Sequence, residues 1–150
     1  MTIQFRQANI EDIPVLVELR KLQLIDEGQC EHENIDAELL AYFTKQFEAN
    51  TMVEWVAEDK HTIVATAAMT FIEFLPAFTN PSGIKGYVTN MYTSKEYRGR
   101  SLATKMLGKL MEEAKSRNVH TILFAASKMG EHVYKKFGFE KADEWMIYHL

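Results

Sequence analysis

The chain of 150 residues has one cysteine, Cys30, so no internal disulfide framework is available and a reducing compartment is expected. No C-x-x-C or H-x-x-x-H spacing accompanies that cysteine, which argues against a structural metal site. Long apolar runs are missing, which excludes a membrane-spanning helix. The opening "MTIQFRQANIEDIP" lacks a basic segment followed by an apolar one, so no secretory signal is visible and a cytoplasmic location is expected. Only three prolines occur, two of them within "LPAFTNPSGIKG", which reads as a surface loop. No repeat, linker or low-complexity tract breaks the chain, and its length suits one domain that buries roughly 70% of its unfolded surface.

Hydrophobic residues make up 47% and charged residues 25%, an ordinary balance for a globular protein. The net charge of −4 is unevenly spread. Residues 1–59 carry 4 Lys/Arg against 13 Asp/Glu, whereas residues 95–117 carry 7 against 3. An acidic first part without an aromatic-interleaved basic face argues against a nucleic-acid partner.

Periodicity gives the order β-α-α-β-β-β-α-β-α-β(-β), an α/β single domain with a mixed central sheet flanked by helices. "TIQFRQA" alternates as a strand, and Asn9 then caps a helix with Pro14 in its first turns. Gly28 ends that helix, and Leu39, Leu40, Phe43 and Phe47 mark a second from about Ile35 to Phe47. "MVEWVAED" and "HTIVATAAMTFIEF" read as a hairpin turning at Asp59-Lys60, followed by a strand "YVTNMYT". Leu102, Met106, Leu110 and Ala114 give the clearest helix, which Asn118 terminates. "TILFAA" is a strand, "KMGEHVYKKF" a short helix stopped by Gly138, and "EWMIYHL" a closing strand.

The basic stretch "SKEYRGRSLATKML" lies where a strand turns into that clearest helix. A helix N-terminus offers unpaired N–H groups and about half a positive elementary charge, so it favours anions. Gly99 permits a tight turn and a close approach to the backbone, and Arg98, Arg100 and Lys105 surround it. On these residues alone the stretch is either a pyrophosphate cradle or a solvated cationic surface beside a helix cap. The G-x-G-x-x-G dinucleotide fingerprint and the G-x-x-x-x-G-K-[ST] phosphate loop are both absent.

"YRGRSLATKML" resembles the acetyl-CoA-binding motif of the GNAT superfamily of N-acetyltransferases, [RQ]-x-x-G-x-[GA]. Arg98 matches its start and Ala103 its end, while Ser101 stands where the pattern has its central glycine. "LFAASKMGEHVYKKFGF" is similar to the second motif of that family, and element order, length and both motifs agree with it over essentially the whole chain. The resemblance implies acetyl-CoA as cosubstrate, without a metal. Met91, Tyr92 and Thr93 would pair with its pantetheine arm. The amides of Gly99, Arg100, Ser101, Leu102 and Ala103, with Thr104 beside them, would hold its pyrophosphate. Arg98 and Arg100 would add charge, and Ser127 a polar contact to the pantetheine.

In the short helix, Met129, Val133 and Phe137 form the expected core line, with Tyr134 about 100° off it. By itself that tyrosine reads as an amphipathic residue packing at a helix edge. The resemblance implies instead that its phenol protonates the departing thiolate, a step worth roughly 10²–10⁴-fold. The acceptor amine, with a pKa around 10, must lose a proton before it attacks. Glu73, near the end of the third strand, is the first candidate base, followed by Glu31, His32 and Glu33.

"IDEGQCEHENIDAE" holds six carboxylates and no Lys or Arg. It is either a solvated charge run or, as the resemblance implies, a cover over the acceptor site that attracts a polycationic amine or a lysine-bearing peptide. Carboxylates crowd Cys30 and oppose a second negative charge there, which favours direct transfer in a ternary complex over an acetyl-cysteine route. The expected activity is therefore N-acetyl transfer from acetyl-CoA to a primary amine, by a monomer or homodimer. The alternative is a non-catalytic acetyl-CoA sensor or partner-binding domain on the same fold.

Overall fold

The computed structural model describes residues 2–125, 131–142 and 144–150. Five strands form one sheet in the order β1-β2-β3-β4-β5: Gln4–Gln7, Met52–Asp59, Thr62–Glu73, Ile84–Thr93 and Ile122–Phe124. Neighbours are antiparallel except β4 and β5, which run parallel. Helices α1 (Ile13–Asp26) and α2 (Asp36–Ala49) precede β2, α3 (Leu102–Ser116) links β4 to β5, and α4 (Glu131–Phe137) follows.

Each helix begins and ends where its local chemistry allows. Asn9 and Asp12 form a reciprocal capping box on the 3-10 turn that leads into α1, and Pro14 occupies the first turn of α1. Helix α2 stops at Asn50, whose φ of 54° is left-handed. The hairpin turns at Lys60 and His61, one residue later than expected, with both residues left-handed as a two-residue hairpin loop demands.

The sheet has apolar layers on both faces. Ile13, Leu16, Val17 and Phe43 of α1 and α2 pack on Met52, Val56 and Ala68. On the other face, Leu102, Met106, Leu107, Leu110 and Ala114 of α3 pack on Val53, Ala57, Ala67 and Met69. The four-residue recurrence in α3 keeps its apolar residues on the sheet, each fully buried leucine contributing about 1.5–3 kcal/mol. No described helix is long and apolar enough to cross a membrane.

The expected closing strand does not form: residues 144–150 have no strand partner among the described residues. Trp145 and Ile147 are exposed, and so are Met146, Tyr148 and Leu150. Apolar side chains therefore fall on both parities, leaving no single face to bury, and β5 offers an edge only three residues long.

Candidate active site

Strands β4 and β5 part company. Their pairing covers only Gly86, Tyr87 and Val88, while β4 runs on to Thr93. Beyond Val88 the edge of β4 facing away from β3 has no strand partner among the described residues, so Met91, Tyr92 and Thr93 border an open cleft. The chain then makes one 3-10 turn, Lys95–Tyr97, and reaches the start of α3. Gly99 has φ +78° with open space around it, so the turn requires glycine for its backbone conformation and not for lack of room. Ser101 is also left-handed, at φ 61°, and no side chain caps α3 there. The first amides of α3 are therefore available to an anion, as the motif implies.

The cleft has a volume of about 780 Å³. Besides β4, Arg98, Gly99 and Ser101–Thr104 line it, together with Gln23 and Asp26 of α1, Glu27 just after it, and Val133, Tyr134 and Phe137 of α4. These residues fit acetyl-CoA: an unpaired strand edge for an amide-bearing arm, and free helix amides for a pyrophosphate. The two arginines have protein partners. Arg98 donates through Nε to the Thr93 carbonyl at 2.9 Å and through Nη2 to Asp26 at 2.6 Å. Arg100 donates to the Glu96 carbonyl and lies over the Tyr97 ring.

Tyr134, not Val133 or Phe137, is the buried side chain of α4, contrary to the expected core line; Phe137 is half-exposed and Met129 lies outside the described residues. The Phe124 ring lies 3.9 Å from the Tyr134 ring, centroid to centroid, and draws the tyrosine inward. Burial, with a smaller push from the charge of Glu27, raises its phenol to about 12.

A second cavity of about 120 Å³ lies on the α1 side of the sheet, where β4 and β5 separate. Its walls are Arg20 and Gln23 of α1, Glu27 just after it, residues 87–91 of β4, and Phe124, Ala125 and Tyr134. Arg20 donates to Gln23, and Gln23 donates to Glu27, forming a ladder along α1. Gln23, Glu27, Met91 and Tyr134 border both cavities.

Glu73 does not join this group. It pairs with Ile84, whereas Thr93 pairs with Ala65, eight residues back along β3 and therefore roughly 27 Å away. The reason is register: the antiparallel hairpin puts the end of β3 beside the start of β4. Glu31, His32 and Glu33 line a separate recess of about 240 Å³ with Cys30, and Ser127 lies outside the described residues. Two residues, Asn90 on the wall of the smaller cavity and Glu54 hydrogen-bonded behind it, are absent from the sequence-based expectations. A carboxylate within "MVEWVAED" and an asparagine in mid-strand were the available signals.

A family model for the acetyltransferase (GNAT) family matches residues 16–139. No curated protein matches the chain. Among solved structures, a predicted acetyltransferase from Clostridium acetobutylicum, determined with acetyl-CoA, is 49% identical over 99% of this chain and 96% of its own, with a TM-score of 0.97. Glucosamine-6-phosphate N-acetyltransferase from Arabidopsis thaliana shares the fold at 20% identity, 99% of each chain and a TM-score of 0.75. The aminoglycoside N-acetyltransferase AAC(6')-Iy, bound to a bisubstrate analog, does so at 16% identity, 100% of this chain, 99% of its own and a TM-score of 0.80.

Proposed function

The chain belongs to the acetyltransferase (GNAT) family and is an acetyl-CoA-dependent N-acetyltransferase; we propose that it acetylates a polycationic amine by direct transfer in a ternary complex. The observation that carries this reading is that Tyr134 and Glu27 border both cavities. A cosubstrate along β4 and an amine beneath α1 would meet there.

Acetyl-CoA supplies the activated acyl group and a thiolate leaving group. The backbone of Met91–Thr93 orients its pantetheine arm, and the amides of residues 99–103, with Thr104 on the cleft wall, hold its pyrophosphate. Tyr134 retains its proton through the neutral range and donates a hydrogen bond to the sulfur as negative charge develops. Full proton transfer to a thiolate of ordinary pKa near 8.5 would be uphill for this phenol, so stabilisation of the anion is its main contribution.

Asp26 and Glu27 put negative charge beside the acyl position and attract an ammonium-bearing acceptor. Glu27, steadied by Gln23, takes the role first assigned to Glu73 of receiving the amine and its proton. Cys30 lines a different recess, which supports attack by the amine without an acetyl-cysteine. AAC(6')-Iy, named for aminoglycosides, has the same fold.

Release of the CoA thiol from acetyl-CoA, measured across polyamines, aminoglycosides, single-amine amino acids and lysine peptides, tests the reading. Turnover concentrated in multiply cationic amines is expected. Turnover confined to neutral or anionic amines would overturn the acceptor assignment.

A further inference from the structure

Glu54 and Asn90 meet beneath α1, close to where β4 leaves β5. Glu54 stands on β2 between residues that face the α1–α2 layer, Met52 and Val56. Its neighbour on β3 is Ala68, whose single methyl leaves room for a side chain to cross to β4. Asn90 Nδ2 donates to Glu54 Oε1 at 2.5 Å, with Glu54 only 1% and Asn90 only 3% exposed.

Asn90 has φ 53° in the middle of a strand. Ala68 pairs with Thr89 and Thr66 with Tyr92, so β4 has one more residue than β3 across this interval, a β-bulge. The carbonyl of Asn90 accepts from Thr66 Oγ1 at 2.8 Å. The bulge is thus held from two strands, by its side chain from β2 across β3 and by its carbonyl from the adjacent β3. Pairing with β5 stops at Val88, two residues before Asn90, and Met91–Thr93 follow directly after it.

A buried carboxyl carries a desolvation cost that a leucine of similar volume would avoid. Glu54 Oε2 and Asn90 Oδ1 have no partner among the described residues, so the pair is not saturated for stability. Its effect is on shape. A left-handed residue bends β4, and the bend decides where the unpaired edge of Met91–Thr93 stands relative to α3.

We infer that Glu54 and Thr66 are positioning residues for the cosubstrate, locking Asn90 in the bulge that holds Met91–Thr93 where the pantetheine arm can pair with them. The inference rests on the reading of that segment as the pantetheine strand.

Calorimetric titration with acetyl-CoA compares the wild type with Glu54→Leu, Glu54→Gln and Thr66→Val, alongside steady-state kinetics. Glu54→Leu should weaken acetyl-CoA binding at least tenfold, and Thr66→Val at least threefold. The KM for acetyl-CoA should rise with them while kcat falls less. Glu54→Gln, whose amide oxygen still accepts from Asn90, should stay within twofold of the wild type. Folded Glu54→Leu within twofold of wild-type affinity would overturn the inference, and so would Glu54→Gln as weak as Glu54→Leu. Should Glu54→Leu fail to fold, Thr66→Val decides alone, since it removes one hydroxyl at constant volume; unchanged binding there is the overturning result. A wild type that does not bind acetyl-CoA would instead overturn the pantetheine-strand reading, and the inference with it.

Discussion

Arg98 Nη2 lies 2.6 Å from Asp26 Oδ2, joining the turn before α3 to the last residue of α1 across the mouth of the cleft. The same guanidinium donates to the Thr93 carbonyl, so one side chain ties the end of β4 and the turn before α3 to Asp26 on the cleft wall. Both partners are partly exposed, so the pair contributes only about 0–1 kcal/mol to stability. Asp26→Asn should therefore leave the melting temperature nearly unchanged while raising the KM for a polycationic acceptor severalfold. Parallel melting and steady-state assays check this; an unchanged acceptor KM would remove Asp26 from acceptor binding.

Tyr134→Phe keeps the ring against Phe124 and deletes only the hydroxyl. Turnover should fall at least tenfold, about 1.4 kcal/mol in activation free energy, with acetyl-CoA affinity within twofold of the wild type. A rate equal to that of the wild type would exclude the phenol from the chemistry.

Ser101 stands at φ 61°, where an L residue costs roughly 1–2 kcal/mol and glycine does not. The greater entropy of glycine in the unfolded chain offsets roughly 0.5–1 kcal/mol of the gain. Ser101→Gly should be stabilising by about 0.5–1 kcal/mol, raising the melting temperature by about 1–4 °C. A lower melting temperature by calorimetry would show that the serine side chain compensates for its own backbone.

Burial raises the Glu54 carboxyl to about 8, against an ordinary value near 4.5; the Asn90 hydrogen bond and Arg20 on α1 oppose the rise, and Asp12 adds to it. The folded state therefore keeps a proton that the unfolded chain releases. The stability tied to this group is complete below about pH 4.5 and is lost as pH climbs through about 8. Asp12, held below its usual range by Arg6, acts at the acid end and not in this window. Urea unfolding of the wild type and Glu54→Gln should show the variant gaining relative stability between pH 5 and pH 8. A constant difference would mean that Glu54 does not titrate there.

Much of the candidate site was legible because its parts are local. The turn "YRGRS" places Gly99, Ser101 and the α3 amides within a few residues, and the four-residue recurrence from Leu102 to Ala114 forces that helix onto the sheet. Glu73 was misplaced because its distance from Thr93 depends on hairpin register, which no short stretch encodes. The segment 144–150 looked like a strand because its composition favours one, yet a strand forms only where an edge is available to pair with it.

By itself the sequence determined the class of the fold and, through the family resemblance, singled out the turn at Gly99 and Tyr134 as candidate site residues, since these rest on local patterns of a few residues each. Only the tertiary structure decided that Asp26 meets Arg98, that Glu27 and Tyr134 border two cavities, and that Glu54 reaches Asn90 over Ala68. Those relations join residues far apart in the chain, and they depend on strand order, one bulge and the packing of α1 on the sheet. Sequence periodicity reports which face a residue occupies; only the assembled sheet decides which residue it faces.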